Sequence, residues 1–135
     1  MSYRVVCPKC QKAMNVKGNG PCPECGAEIT IPGEGMIRIY RMGNMIGSAV
    51  GAGIYINGKP YGHVGNRGTV QIPLPFGTYK LHMTMGMNRR CNDPEITLSP
   101  ENPVANLKMH IRMGFISNTM VIEAADPSTM PPAED

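Results

Sequence analysis

The chain has 135 residues and a formal net charge of +3, a length that suits one or two small domains. No apolar run approaches the ~20 residues of a membrane-spanning helix, and the N-terminus has no apolar stretch of the signal-peptide type. These features predict a cytoplasmic protein without membrane insertion. In that compartment thiols stay reduced, so paired cysteines favour a metal site over disulfides.

The first predicted element is a pair of cysteine turns in CPKCQKAMNVKGNGPCPECG, where eleven residues separate two Cys-x-x-Cys pairs. Each such turn directs two thiolates at one point, and two turns supply the four ligands of tetrahedral Zn²⁺. The spacing therefore predicts one structural zinc ion bound by four residues: Cys7, Cys10, Cys22 and Cys25. Iron in a rubredoxin-like site has a similar geometry and stays open as an alternative.

These cysteines, together with Pro8, Pro23 and Gly26, resemble the zinc-ribbon family. The resemblance implies a small β-ribbon around one metal ion over residues 1–32, and it implies no particular function. A segment this short needs a metal or disulfides, because chains below ~40 residues bury too little surface to fold alone. Residues 33–35 are predicted to be a linker, since Pro32 and two glycines interrupt regular structure there.

Residues 36–125 alternate between apolar and polar positions in short runs separated by Gly, Pro and Asn, which is typical of strands. Asn57-Gly58 is a strong hairpin signal because both central residues of a type I′ turn need positive φ. The predicted fold is mostly β, with an antiparallel β-sandwich of about seven strands after the ribbon. The predicted strands are IRIYRM, AGIYIN, TVQIPL, TYKLHMTM, EITLS, VANLKMHIRM and TMVIEAA.

Residues 36–113 also resemble the PEGA-type β-sandwich, although GSAVGAG stands where that family has Pro-Glu-Gly-Ala. The matching positions are Ile54, Ile56, Asn57, Gly58, Lys59, Gly62, Pro75 and Gly77. The resemblance implies a non-enzymatic domain of the kind found in cell-envelope or accessory proteins. Residues 126–135 are acidic, rich in Pro and without periodicity, so we expect this tail to be disordered.

The two longest predicted strands each have an apolar and a basic face. The apolar faces predict one core that contains Met83, Met85, Met109 and Met113. The opposite faces carry Lys80, His82, Lys108, His110 and Arg112. If the two strands share a sheet, these five residues form a surface for an acidic partner; the alternative is a solvated face that keeps the protein soluble.

No arrangement typical of catalysis is present in the sequence, such as a Ser-His-Asp context, paired carboxylates or a phosphate-binding loop. We therefore predict a non-enzymatic zinc protein that binds a protein partner or acts as a scaffold. One alternative is nucleic-acid binding through the ribbon and the basic face, which a small basic excess permits without favouring. Another is a metal-handling protein that uses the methionines and Cys91 as soft ligands.

Overall fold

The computed structural model describes residues 2–42, 51–85, 90–113 and 118–130, except for the side chains of Met113 and Asn118. Its first four strands are β1 (Tyr3–Val6), β2 (Ala13–Val16), β3 (Gly20–Pro21) and β4 (Glu28–Ile29). They form two antiparallel hairpins, β1 with β2 and β3 with β4. We call this part the ribbon. Among the described residues, no helix is long and apolar enough to cross a membrane.

Eight further strands in the described part of the chain form what we call the sandwich. They are β5 (Gly35–Arg41), β6 (Ala52–Ile56), β7 (Lys59–Val64), β8 (Thr69–Leu74), β9 (Gly77–Met85), β10 (Glu95–Leu98), β11 (Val104–Met113) and β12 (Asn118–Ala124). They pair in the order β10-β9-β6-β7 in a first sheet and β12-β11-β5-β8 in a second sheet. The prediction of a mostly β fold is confirmed.

One strand pair departs from the predicted antiparallel pattern, because β11 runs parallel to β5. The chain leaves the first sheet after β10 and enters the second sheet beside β5 in the same direction. Residue alternation along a strand shows which side chains share a face, and it carries no information about the direction of the neighbouring strand. The parallel pair therefore had no signal in the sequence.

The two sheets share one hydrophobic core. Met83, Met85 and Met109 are 0%, 9% and 1% exposed and belong to it, so the predicted methionine core is confirmed for these three residues. The side chain of Met113 lies outside the described part of the structure. A flexible thioether fills irregular gaps between branched side chains, which suits a core with few aromatic residues.

The ribbon covers one edge of the sandwich. β8 is the last strand of its sheet, yet all six of its residues are buried. β1 packs against it, and the side-chain amide of Gln71 donates to the carbonyl oxygen of Ser2 at 3.3 Å. An uncovered edge strand exposes unpaired backbone groups that invite aggregation. The ribbon protects the sandwich at this edge.

Arg4 fastens the ribbon to β7. The side chain is 8% exposed, and its Nη1 donates to the carbonyl oxygens of Tyr61 and His63, both at 2.9 Å. Its Nε donates to Asn15 Oδ1 on β2 at 2.6 Å. Gly62 has a φ of +79°, and a Cβ there would come within 2.6 Å of Arg4 Nη1. Only glycine allows both the backbone conformation and this close approach.

The C-terminal tail differs from the expectation over residues 126–130. Pro127–Thr129 form a 3₁₀ turn, and Met130 after it is 8% exposed. The Asp126 carboxylate accepts hydrogen bonds from the Ser128 backbone amide and hydroxyl, both at 2.9 Å. The hydrogen bond from the amide is the main cause that lowers the pKa of Asp126. A local cap of this kind is invisible to an argument from composition. Residues 131–135 of the predicted tail lie outside the described residues.

Candidate metal centre

The two cysteine turns have the same backbone geometry. Cys7 follows β1 and Cys22 follows β3. In each turn the carbonyl oxygen of the first cysteine accepts a hydrogen bond from the residue four positions on, from Gln11 at 2.9 Å and from Gly26 at 2.8 Å. The Cys7 amide donates to the Lys12 carbonyl oxygen at 3.0 Å, and the Cys22 amide donates to the Ala27 carbonyl oxygen at 2.7 Å. The repeated Cys-Pro-x-Cys sequence therefore gives a repeated structure.

Both turns need positive φ at the residue after the second cysteine. Gln11 has a φ of 62° and Gly26 a φ of 78°. Glycine adopts this conformation without cost, whereas a residue with a Cβ pays ~1–2 kcal/mol. Gln11 donates from its side-chain amide to the Pro8 carbonyl oxygen at 3.0 Å, a contact within the turn. The glutamine at this position is therefore tolerated at some cost.

The four cysteine sulfurs form one compact cluster. The Sγ atoms of Cys7 and Cys25 lie 3.5 Å apart and those of Cys10 and Cys22 lie 3.7 Å apart, and all four lie within 4.8 Å of one another. With metal–sulfur bonds of ~2.3 Å, the sulfurs of a regular tetrahedron are ~3.8 Å apart. The predicted ligands are thus close enough to bind one metal ion, and the distances suit zinc and iron alike.

Backbone amides prepare two of the four thiols for metal binding. Cys7 and Cys22 are buried, while Cys10 and Cys25 are exposed. A hydrogen bond from the Cys10 amide is the main cause that lowers the pKa of Cys7 to about 6. Burial raises the pKa of Cys22, but the amides of Cys25 and Glu24 outweigh it and the pKa is lowered. The thiolate is the form that binds metal, so these amides favour the ligating state.

A salt bridge joins the two turns at the surface. Lys12 Nζ lies 2.7 Å from Glu24 Oε1, and both side chains are more than half exposed. The carboxylate raises the pKa of Lys12. Water screens an exposed pair of this kind, which contributes little to stability, so it adds little to the binding of a metal ion. The salt bridge also pairs Lys12 with a carboxylate, which makes this lysine less available to contact a phosphate of a nucleic acid.

The five predicted basic residues do not form one surface. β9 lies in the first sheet and β11 in the second, and the core faces of both strands point into the shared core. Lys80 and His82 therefore lie on one outer face, and Lys108, His110 and Arg112 lie on the other. The prediction depended on both strands sharing a sheet, and it is wrong because the chain changes sheets between them.

Acidic residues accompany the basic ones on both outer faces. On the second sheet, Glu123 Oε1 lies 3.7 Å from Lys108 Nζ and 3.6 Å from His110 Nδ1. On the first sheet, Glu95 is the register partner of Lys80. These acids lie on neighbouring strands and are distant from their partners in the sequence. The pattern within each single strand therefore wrongly indicated purely basic faces.

Sequence reasoning missed a second group of metal-ligating side chains. One ligand atom each from His82, Cys91 and Asp93 lies within 4.8 Å of the other two, and His82 Nδ1 is 2.6 Å from Asp93 Oδ1. Burial is the main cause that raises the pKa of Cys91, so this thiol does not suit nucleophilic chemistry in the absence of a bound metal ion. The only sequence signal is the Cys-x-Asp spacing, which is too short to be specific.

Two clefts flank the junction between ribbon and sandwich. One has a volume of about 320 Å³ and includes Val5, Tyr61 and Leu74 in its lining. The other has a volume of about 420 Å³ and is lined in part by Lys17 and Val104. Both clefts take residues from each unit, so they exist only while the ribbon is docked on the sandwich.

Comparisons of the chain with protein-family models, with curated protein sequences and with solved structures gave no match. The similarity to PEGA-type domains therefore stays a prediction from the sequence.

Proposed function

We propose that the protein is a non-enzymatic cytoplasmic zinc protein that binds a protein partner or acts as a scaffold, and that its ribbon holds one structural zinc ion. The observation that carries the proposal is the four-sulfur cluster of Cys7, Cys10, Cys22 and Cys25. Four thiolates complete a tetrahedral ion and leave no position for water or substrate. An ion bound in this way stabilises structure and takes no part in a reaction.

The place of the ribbon in the fold supports a structural role for the ion. Arg4 lies two residues before the end of β1, and Cys7 follows that strand directly. A metal ion that orders the two turns also orders β1, which packs on β8. The ion would therefore stabilise the ribbon and, through β1, the covered edge of the sandwich.

The junction clefts support a binding role. Val104, in the lining of the 420 Å³ cleft, is 45% exposed and offers an apolar surface to a partner. A concave surface with apolar walls and a few charged groups such as Lys17 and Glu34 suits a short extended segment of a partner protein. The separation of the basic residues onto two faces makes a nucleic-acid partner the weaker candidate.

Two measurements test the proposal. Elemental analysis of protein purified without added metal should find at least one tightly held zinc ion per chain, which Cys22→Ser removes. A pull-down from the native cytoplasm should then recover a partner that Val104→Asp loses. Phe76→Asp is the matched control, because Phe76 is 37% exposed and lines neither cleft.

Iron in place of zinc would correct the identity of the ion and keep the structural role. Disulfides within the cysteine pairs would overturn the metal proposal. A partner that binds Val104→Asp and wild type equally, with both proteins folded by circular dichroism, would overturn the assignment of the partner surface.

A further inference from the structure

The segment from Arg90 to Pro94 ties the two sheets together. The Asn92 side chain donates to the Ile122 carbonyl oxygen and accepts from the Ile122 amide, both at 2.9 Å, which holds the segment to β12. The Leu81 amide donates to the Pro94 carbonyl oxygen at 3.0 Å, which holds it to β9. Cys91 and Asp93 alternate with these anchored residues, so hydrogen bonds of their neighbours hold their backbone beside β9.

We propose that His82, Cys91 and Asp93 form a second metal site, for Zn²⁺, with three protein ligands and a fourth position open to solvent or to a ligand from a partner. The three ligand atoms lie within 4.8 Å of one another. Imidazole nitrogen, thiolate sulfur and carboxylate oxygen are the three ligand types that zinc accepts in proteins. This proposal rests on residues other than those of the ribbon and stands independently of the proposed function.

The distances allow an ion to enter with small movements. Zinc bonds of ~2.0–2.2 Å to nitrogen and oxygen place two such ligands ~3.3–3.5 Å apart in a tetrahedron. His82 Nδ1 and Asp93 Oδ1 are 2.6 Å apart, in a hydrogen bond that the ion would replace. The Asp93 side chain is 37% exposed, so its rotation can widen the gap while the anchored backbone and the His82 ring stay in place.

The surroundings of His82 restrict its ring. Tyr55 on β6 is its register partner, and the two ring centroids are 5.9 Å apart at an interplanar angle of 52°. A ligand held in one orientation loses less conformational freedom on binding, which favours the complex. The ring is thus positioned by a strand that contributes no ligand of its own.

The other outer face provides an internal comparison. His110 Nδ1 lies 3.6 Å from Glu123 Oε1, so it also pairs a histidine with a carboxylate. That pair is not part of a three-ligand group in the described part of the chain. A histidine–carboxylate contact by itself accounts for the closeness of His82 to Asp93 and of His110 to Glu123 alike. It does not account for the Cys91 thiol, which lies beside the first pair.

The test uses the full chain with its ribbon loaded with one equivalent of zinc. Cobalt(II) is then added as a probe, because a cobalt–thiolate bond gives a near-ultraviolet charge-transfer band. The wild type should bind a second equivalent and show the band of a single thiolate. Cys91→Ser should lose the band, and Asp93→Asn and His82→Ala should each weaken the second equivalent by about ten-fold or more.

Glu123→Gln is the matched control and should leave both equivalents unchanged. Two-dimensional NMR spectra establish that each variant is folded before its titration is interpreted. The proposal is overturned if folded wild type binds no second equivalent, or if the second equivalent survives both Cys91→Ser and Asp93→Asn. Either result leaves the zinc of the ribbon unaffected, because that ion is already present at the start and is counted separately by elemental analysis.

Discussion

The ribbon and the sandwich are both made of short β-strands, but different forces hold them together. Among the described residues, the sandwich has a cluster of seventeen buried apolar residues. The ribbon has a cluster of four, and two of these are Cys7 and Cys22. Full burial of an aliphatic side chain contributes ~1.5–3 kcal/mol, while ordering each backbone residue costs ~1–2 kcal/mol. We therefore expect the ribbon to depend on a bound metal ion and on its contacts with the sandwich, whereas the sandwich depends on its core.

Removal of the metal tests this contrast with the largest expected effect. Structural zinc contributes ~10–16 kcal/mol to the folding of zinc-finger peptides near pH 7, so chelation should unfold the ribbon and leave the sandwich folded. Amide hydrogen exchange should show loss of protection in β1–β4 and, within the sandwich, faster exchange at β8, which β1 no longer covers. A uniform loss of protection in all twelve described strands would show that the two units form one cooperative structure.

A cavity in the core tests the other half of the contrast. Met109→Ala removes a side chain that is 1% exposed, and such truncations cost ~2–5 kcal/mol. Chemical denaturation monitored on the sandwich should show this loss, while the zinc content stays at the wild-type level. Met42→Ala is the control, since Met42 is 38% exposed and exposed substitutions usually change stability by less than ~0.5 kcal/mol. Equal effects from the two variants would contradict the assigned core.

The link between the two units is tested at Arg4. Arg4→Met keeps the length of the side chain and removes the donors to Tyr61 and His63, and a hydrogen bond from a charged group contributes ~1.5–3 kcal/mol. We expect faster hydrogen exchange at β1 and β7 with the metal still bound. Gly62→Ala, which places a Cβ against the guanidinium, should give the same pattern from the opposite side. Unchanged exchange at both strands would mean that the units dock without Arg4.

The smallest predicted effect compares the two cysteine turns. Gln11→Gly should stabilise the metal-bound ribbon by ~1 kcal/mol, because a glycine at φ 62° has no Cβ penalty. Gly26→Ala should destabilise it by ~1–2 kcal/mol, since φ is 78° and no atom lies within 4 Å of the added Cβ. Competition with a chelator measures both changes. Effects of the same sign would refute the equivalence of the two turns.

Several features followed from local sequence because a local physical rule produces them. The paired Cys-x-x-Cys spacing predicted which four thiols gather, since each turn is closed by hydrogen bonds within five residues. Alternation predicted that Met83, Met85 and Met109 face the core, because successive side chains on a strand point to opposite sides. Asn57-Gly58 predicted the β6–β7 hairpin through its positive φ angles.

Other features were decided only by the tertiary structure, because they depend on which strands become neighbours. Strand alternation is the same whether β9 and β11 share a sheet or oppose each other, so the basic residues were wrongly placed on one face. The hydrogen bonds from Arg4 to β7 and from Gln71 on β8 to Ser2 join residues that are 57 or more positions apart in the chain. His82 meets Cys91 and Asp93 because Asn92 and Pro94 anchor the returning segment between the sheets. Contacts of this kind arise from the packing of whole sheets, which no short stretch of sequence encodes.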